Sequence, residues 1–350
     1  MEVGIIGPPG AGKSTLFHSL TGLKPGASGK VELTRGVAQV VDKRVDFIQQ
    51  VYHSRKRAYP TVEYLDSPPI ETGGFKKSSF RQEFLRGMER VDALLLTIPC
   101  FLPGQKEKAV SAVKDLLTEF ALSDLEIVEK RQDKLNQDWK RGVKEVQKER
   151  ELLQKCQNAL ENETQLNKLN FAPDEVKLLK CFSFLSIKPK LILLNLAEND
   201  IPAGKTMEQA IAEQLPEENI ISICAKIQSE IAELSPEEIP SFLLALGINE
   251  SASDKVIKKT REMLKLITFL TGSEQEAHAW DLPQGANAWE AAGVVHSDLQ
   301  RGFIRAEVFQ FEDLIKYGSE AELKAKGLVR LEGKEYIVKD GDVLLIRFKV

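Results

Sequence analysis

Cysteine is scarce in this chain. There are four, Cys100, Cys156, Cys181 and Cys224, and no CxxC pair. They read as reduced thiols, not as a disulfide framework. Histidine is as rare, and the four (His18, His53, His278, His296) suggest no metal site. A long apolar run is also missing. The longest, "VDALLLTIPCFL", is too short to span a bilayer and contains Pro99. No charge dominates: 48 basic residues stand against 52 acidic ones, for a net charge of -4. A global basic field for nucleic acid is thereby excluded, although a local patch is not. The opening "MEVGIIG" has no basic region followed by a cleavable apolar stretch. The expectation is a cytoplasmic protein that meets no membrane, with two or three domains in its 350 residues.

What is present begins at residue 7. "GPPGAGKSTL" follows a short apolar stretch, residues 2 to 6, that reads as a buried parallel strand. Gly7 to Ser14 fits GxxxxGK[ST], and "TLFHSLTG" continues with helical spacing to a stop at Gly22. Strand, glycine loop and helix are the context a phosphate-binding loop requires. Gly7, Gly10 and Gly12 carry no Cβ, so backbone N–H groups can curl around an anion. The helix N-terminus adds its dipole. Lys13 brings a point charge to the terminal phosphates, and Ser14 is placed to ligate Mg²⁺. The expected nucleotide-binding set here is Gly7, Pro8, Pro9, Gly10, Ala11, Gly12, Lys13, Ser14 and Thr15.

Further strands carry the remaining candidates. "TVEYLDSPP" (61 to 69) ends in Asp66, placed to hold Mg²⁺ with Ser14. "RVDALLLTIPCF" and "KPKLILLNLAEND" read as buried strands, the second delivering Asn195 and Glu198 to a strand end, where ligands sit in open α/β sheets. "ENIISICAKIQSEIAEL" reads as strand, loop and helix, with Ser222 to Lys226 at the turn. Cys224, Ala225 and Lys226 join Asn195 and Glu198 as the set to grip a base. Guanine-specific relatives of such loops use NKxD, whose Asp accepts from the guanine ring; "NLAE" has no Lys and an acid one methylene longer, which favours ATP over GTP.

The middle of the chain changes character. "LEIVEKRQDKLNQDWKRGVKEVQKERELLQKCQNALEN" is dense in charge and poor in Gly and Pro. Apolar residues recur at Leu125, Val128, Leu135 and Trp139, then at Val143, Val146, Leu152, Leu153, Cys156 and Leu160, with Gly142 between. That is an antiparallel helical hairpin with a narrow seam, either packed on the main domain or protruding to meet a partner. "HSRKRAY" (53 to 59) reads as a solvated loop, and "KEYIVKDGDVLLIRFKV" as a hairpin turning at Asp340 and Gly341.

The order of P-loop, Asp strand, NxxE, and an Ala–Lys turn followed by "IxxEIAEL" resembles the YchF (Obg-like) ATPases of the TRAFAC class. "AHAWDLPQGANAWEAAGVVHSDLQRGFIRAEVFQFEDLI" and "EGKEYIVKDGDVLLIRF" are similar to the family's TGS-type end. The resemblance implies an α/β P-loop NTPase with a mainly parallel sheet, an inserted helical hairpin and a C-terminal β-grasp, ubiquitin-like domain. The expected boundaries are 1–120 and 180–235 for the nucleotide-binding domain, 121–179 for the arm, 236–263 for a connecting helix and linker, and 264–350 for the TGS-like domain. It also implies Mg²⁺ and ATP, with GTP as the alternative. Its partners would be the ribosome or a translation factor, met through the arm and the TGS-like domain.

Five positions depart from the family or bear on its chemistry. Gly10 replaces an Asn that can support potassium, and Gly29 and Lys30 fall where a Cys–Thr pair closes the Mg²⁺ shell. Pro69 stands where DxxG offers an N–H to the γ-phosphate, and proline has none. Ile70, at the water-orienting position, is apolar as in the family. A slow ATPase, a nucleotide-binding scaffold with little hydrolysis, and more weakly a GTP switch or small-molecule kinase stay open. No catalytic residue is assigned.

Overall fold

The computed structural model describes residues 1–23, 33–71, 73–76, 78–141, 146–231, 234–235, 237–246 and 250–349. Gly29, Lys30, Gly142 and Val143 lie outside that set. The chain divides into two compact units, 1–37 with 63–256 and 38–62 with 257–350.

Seven strands come from the first two-thirds of the chain. They are β1 (Glu2–Ile6), β2 (Thr34–Gln39), β3 (Lys56–Ala58), β4 (Thr61–Asp66), β5 (Ala93–Cys100), β6 (Lys190–Leu196) and β7 (Asn219–Ile223). All but β3 form one sheet in the order β2-β4-β1-β5-β6-β7. β1 is parallel to β4 and β5, β5 to β6, and β6 to β7. The inner strands are apolar on both faces because helices cover both, and β6 is buried at every position. One core gathers Ile6, Leu65, Ile70, Phe75, Phe84, Leu96, Ile192 and Leu194. Parallel strands place all their carboxyl ends at one edge, so residues 7, 66, 195 and 224 collect there from four strands.

The charged middle segment is helical. One helix runs unbroken over Ala109–Lys140, and a second, Gln147–Glu161, packs along it. Their seam buries Val128, Leu135, Leu152, Leu153, Cys156 and Leu160. Trp139 departs from the expected seam. It is 39% exposed, and the Arg150 guanidinium lies over its ring at 5.0 Å. A flat ring near a helix end is held by that cation, not by the narrow aliphatic stripe.

The second unit is a mixed sheet of β8 (Leu266–Gly272), β9 (Glu276–Pro283), β10 (Phe303–Gln310), β11 (Arg330–Glu332) and β12 (Asp342–Phe348), with β3 at its edge, in the order β11-β10-β12-β8-β9-β3. β12 lies parallel to β8 and antiparallel to β10, which makes the β-grasp. The helix Ala288–Val295 covers the sheet through Ala288, Ala291 and Ala292. Its N-terminus is fixed by a reciprocal Asn287–Glu290 capping box.

Three expectations are corrected here. Residues 38–62, assigned to the first domain, pack with the C-terminal unit. Val45 and Ile48 of the helix Arg44–Tyr52 are buried with Leu270, Ala277 and Phe309. "HSRKRAY" is not all loop: its Lys56–Ala58 is β3, parallel to β9. Residues 334–350, read as a hairpin, supply one strand only among the described residues, β12, and it pairs with β10 and β8 while β11 (330–332) lies on the far side of β10. Asp340 and Gly341 do turn the chain, but toward β8. Thr268 N–H donates to Asp340 Oδ1 at 2.7 Å, and Gly341 N–H (φ 81°) donates to the Thr268 carbonyl at 2.9 Å. A turn signal fixes local geometry and does not choose the strand it pairs with.

Candidate nucleotide-binding site

The loop between β1 and the helix Lys13–Thr21 is shaped by two glycines that only glycine suits. Gly10 has φ 70° and Gly12 φ 87°. A Cβ on Gly12 would stand 2.3 Å from Asn195 Nδ2, and one on Gly7 2.4 Å from the Thr97 carbonyl oxygen. The loop is thus pressed between neighbouring strands and cannot widen. Pro9, Gly10, Ser14 and Thr15 face solvent, while Gly7, Ala11 and Lys13 are buried.

Lys13 Nζ turns back along the loop and donates to the Gly7 and Pro8 carbonyls, both at 3.1 Å. Burial lowers its pKa, an effect partly opposed by the Asp66 carboxylate. Asp66 closes the other side: Ser14 Oγ donates to its Oδ2 at 2.7 Å. Burial raises the Asp66 pKa, against the Ser14 hydrogen bond and the Lys13 charge. Its second oxygen, Oδ1, is buried and has no hydrogen-bond partner. An ammonium and a carboxylate that are both desolvated, with one carboxylate oxygen unpartnered, fit a charged guest. A hard cation fits, since the free donors are oxygens.

The base-side residues also converge. Asn195 Nδ2 donates to the Ala11 carbonyl at 3.0 Å, and its Oδ1 accepts from Ala225 N–H at 3.0 Å. One amide therefore ties the phosphate loop to the turn after β7. Glu198 and Lys226 meet at 3.4 Å on the surface, both largely exposed. Cys224 and Ala225 are buried under that turn. Ser222 points elsewhere. Its N–H and Oγ are both committed to Glu208, at 2.6 and 2.7 Å, and Lys255 completes that cluster at 2.9 Å.

The stretch after Asp66 is docked on the loop. Ser67 N–H donates to the Ile5 carbonyl at 3.2 Å and Ile70 N–H to the Gly7 carbonyl at 3.1 Å. Pro69 is exposed, and the Ile70 side chain is buried in the core. Sequence reasoning missed what holds this stretch on its far side. Glu119 accepts from Gly73 N–H at 2.5 Å and from Phe75 N–H at 3.3 Å. Arg81, buried, donates to the Phe75 carbonyl at 3.4 Å and pairs with Glu126. Only the burial of one acidic position, Glu119, in a charged helix could have signalled this, and burial is not a local property of the sequence.

The C-terminal residues give no competing site. His296 caps the helix Ser297–Arg301, accepting from Asp298 N–H at 3.1 Å, and His278 stacks on Trp280. Among the described residues no group of His, Cys, Asp and Glu could hold a metal on its own, and no helix is long and apolar enough to cross a membrane.

Comparison with known proteins follows this layout. The YchF-GTPase_C family model, described as a protein of unknown function (DUF933), matches residues 266–349. A model described as ABC transporter matches residues 2–194, the stretch that carries the P-loop and Asp66. The ribosome-binding ATPase YchF of Bacillus subtilis is 36% identical, with 100% of each chain covered. That of Escherichia coli O157:H7 is 33% identical over 100% of this chain and 99% of its own. The solved Schizosaccharomyces pombe YchF GTPase superposes with a TM-score of 0.80 at 23% identity, over 99% of this chain and 97% of that one, and so shares the fold. A P-loop alone would fit either model, but these relatives match through both units, and the chain belongs to the YchF family of P-loop NTPases.

Proposed function

We propose that this protein binds ATP with Mg²⁺ in the P-loop pocket, hydrolyses it slowly, and works in the cytoplasm on the ribosome or a ribosome-bound factor. The observation that carries the reading is the Ser14–Asp66 pair at 2.7 Å, with Asp66 Oδ1 left unpartnered beside the folded-back Lys13. Ser14 and Asp66 would hold the cation, which supplies charge neutralisation between phosphate oxygens. Gly7 to Thr15 would cradle the phosphates, with the Lys13 ammonium leaving its two carbonyls for them.

Adenine is favoured at the base position. Asn195 spends its amide on the protein backbone, and Glu198 is engaged with Lys226. Neither offers the short, free carboxylate that guanine N1–H and its amine require. The relatives' names point both ways, to an ATPase and to a GTPase. Calorimetry with both nucleotides decides the base, and GTP binding much tighter than ATP would overturn the choice.

Slow turnover follows from the stretch after Asp66. Pro69 has no N–H, the next donor, Ile70 N–H, is engaged by the Gly7 carbonyl, and Ile70 itself is apolar. The same observation favours the second reading, a nucleotide-binding scaffold with little hydrolysis. Ribosome binding is supported by the family relatives' names and by the arm and β-grasp surfaces, which carry no chemistry of their own. Steady-state phosphate release with and without ribosomes separates the readings: a ribosome-stimulated rate supports the ATPase, and none under either condition the scaffold. Failure to co-sediment with ribosomes under every nucleotide condition would refute the partner.

A further inference from the structure

The segment from Asp66 to Phe75 is held at both ends. At the pocket, Ile70 N–H rests on the Gly7 carbonyl at 3.1 Å. At the far end its backbone is gripped by one helix, Ala109–Lys140. Glu119 of that helix, 6% exposed, takes the N–H groups of Gly73 and Phe75. Arg81, also 6% exposed, takes the Phe75 carbonyl and pairs with Glu126 of the same helix. Glu119 and Glu126 are seven residues apart, so about two turns place both on one face. Between the ends, Ile70 and Phe75 lie in a single packed core with Phe84.

The geometry points to Glu119, with the Arg81–Glu126 pair, as the coupling through which the arm senses the occupant of the nucleotide pocket. This rests on the nucleotide reading given above. A terminal phosphate at the loop attracts the nearest backbone donor after Asp66. Pro69 has none, so that donor is Ile70 N–H, and it must leave the Gly7 carbonyl to respond. Interdigitated side chains do not stretch, so a shift of Ile70 carries Phe75 with it. Gly73 and Phe75 cannot move away from Glu119 without leaving two N–H groups and a buried carboxylate unpaired. The helix moves instead, or the segment does not. From Glu119 to Lys140 that helix extends for roughly 32 Å without a break, so a small tilt at its base is amplified at its tip.

Hydrogen–deuterium exchange tests this on the full chain, without ribosomes. Nucleotide-free protein is compared with protein saturated by a non-hydrolysable ATP analogue, its binding measured by calorimetry. In the wild type, exchange over residues 119–140 should change by about threefold or more on binding. In Glu119→Ala the analogue should bind within about threefold of wild type, while the response stays confined to residues 66–75. An arm that responds fully in Glu119→Ala overturns the coupling. So does a wild type that binds the analogue with no response in the arm. A wild type that binds no nucleotide overturns the functional reading, and the coupling with it. If Glu119→Ala does not fold, Glu126→Gln, at a half-exposed position, removes the charge that pairs with Arg81 and with Lys130 one turn along the same helix, and leaves the Glu119 bonds in place. It should weaken the arm's response, and an undiminished response overturns the proposal.

Discussion

Ser14 Oγ and Asp66 Oδ2 stand 2.7 Å apart although 52 positions separate them in the chain. The contact spans the join between two neighbouring parallel strands, β1 and β4. Asp66 pays for this place in solvation, since burial raises its pKa and Oδ1 has no partner. Asp66→Asn should therefore leave the nucleotide-free protein as stable as wild type or slightly more so. It should also lower affinity for the Mg²⁺–nucleotide by about tenfold or more, ~1.4 kcal/mol. Thermal melts and calorimetry with and without Mg²⁺ check both halves. A variant that binds with undiminished Mg²⁺ dependence would remove Asp66 from the metal site.

Lys13→Ala tests the phosphate end. Its ammonium is buried against two carbonyls, with its pKa lowered by burial, so its loss costs the empty protein little. Nucleotide affinity should drop more than tenfold, ~1.4 kcal/mol or above. Unchanged affinity by calorimetry would refute the pocket.

Gly12→Ala should do more damage than its one methyl suggests. The residue sits at φ 87°, and the new Cβ would fall 2.3 Å from Asn195 Nδ2. Backbone strain of ~1–3 kcal/mol adds to the loss of the Asn195–Ala11 hydrogen bond. A melting temperature lower by several degrees, together with at least tenfold weaker nucleotide binding, is expected. Full affinity would mean that the loop can relax away from Asn195.

How much of this was legible beforehand varied with distance along the chain. Lys13, Ser14 and the glycines announce themselves within eight residues, because a phosphate loop is a local structure. Asp66 and Asn195 could be picked out because strands ending in polar residues share one edge of a parallel sheet. Glu119 could not: it is one of many acids in a charged helix, and its partners lie 44 and 46 positions away. Residues 38–62 defeated the reading for a similar reason. A short amphipathic helix and a three-residue strand fit either sheet, and only the packing of Val45 and Ile48 assigns them. "KDGD" misled because a turn signal does not reveal that β10 lies between the strands on either side of it.

Pro69→Gly asks whether the missing donor limits turnover. The substitution restores an N–H three residues after Asp66, at an exposed position. Each donor to developing charge is worth ~2.7–4 kcal/mol, so phosphate release should rise well above the wild-type rate. Equal rates would place the limit elsewhere. A wild-type rate above about one per second would show that the site is not slow.

Lys190 makes a prediction about pH. It is 2% exposed, its Nζ donating to the Ser186 and Lys188 carbonyls, and burial lowers its pKa from 10.5 to about 8. Between those values the unfolded chain still holds a proton that the folded chain has released. Stability therefore rises with pH across that window. Lys190→Met should flatten the rise, by an amount on the order of 3 kcal/mol between the two proteins' pH profiles. Parallel profiles in chemical denaturation would show that Lys190 keeps an ordinary affinity for its proton.

The strand β3 and the helix Arg44–Tyr52 belong to a unit whose remaining residues begin at 257. During synthesis this early piece leaves the ribosome long before its partners exist. At ~5–20 residues per second, the interval from residue 62 to residue 350 is about 15–60 s. Through most of it the core that Val45 and Ile48 enter is absent or incomplete, since its other members run from Leu270 to Val343. The second unit therefore cannot be completed by the nascent chain in order of emergence. It closes only when β9 has paired with β3 and β12 has brought Val343 to the core of Val45 and Ile48, making the last part of the polypeptide the step that commits the first part to its place.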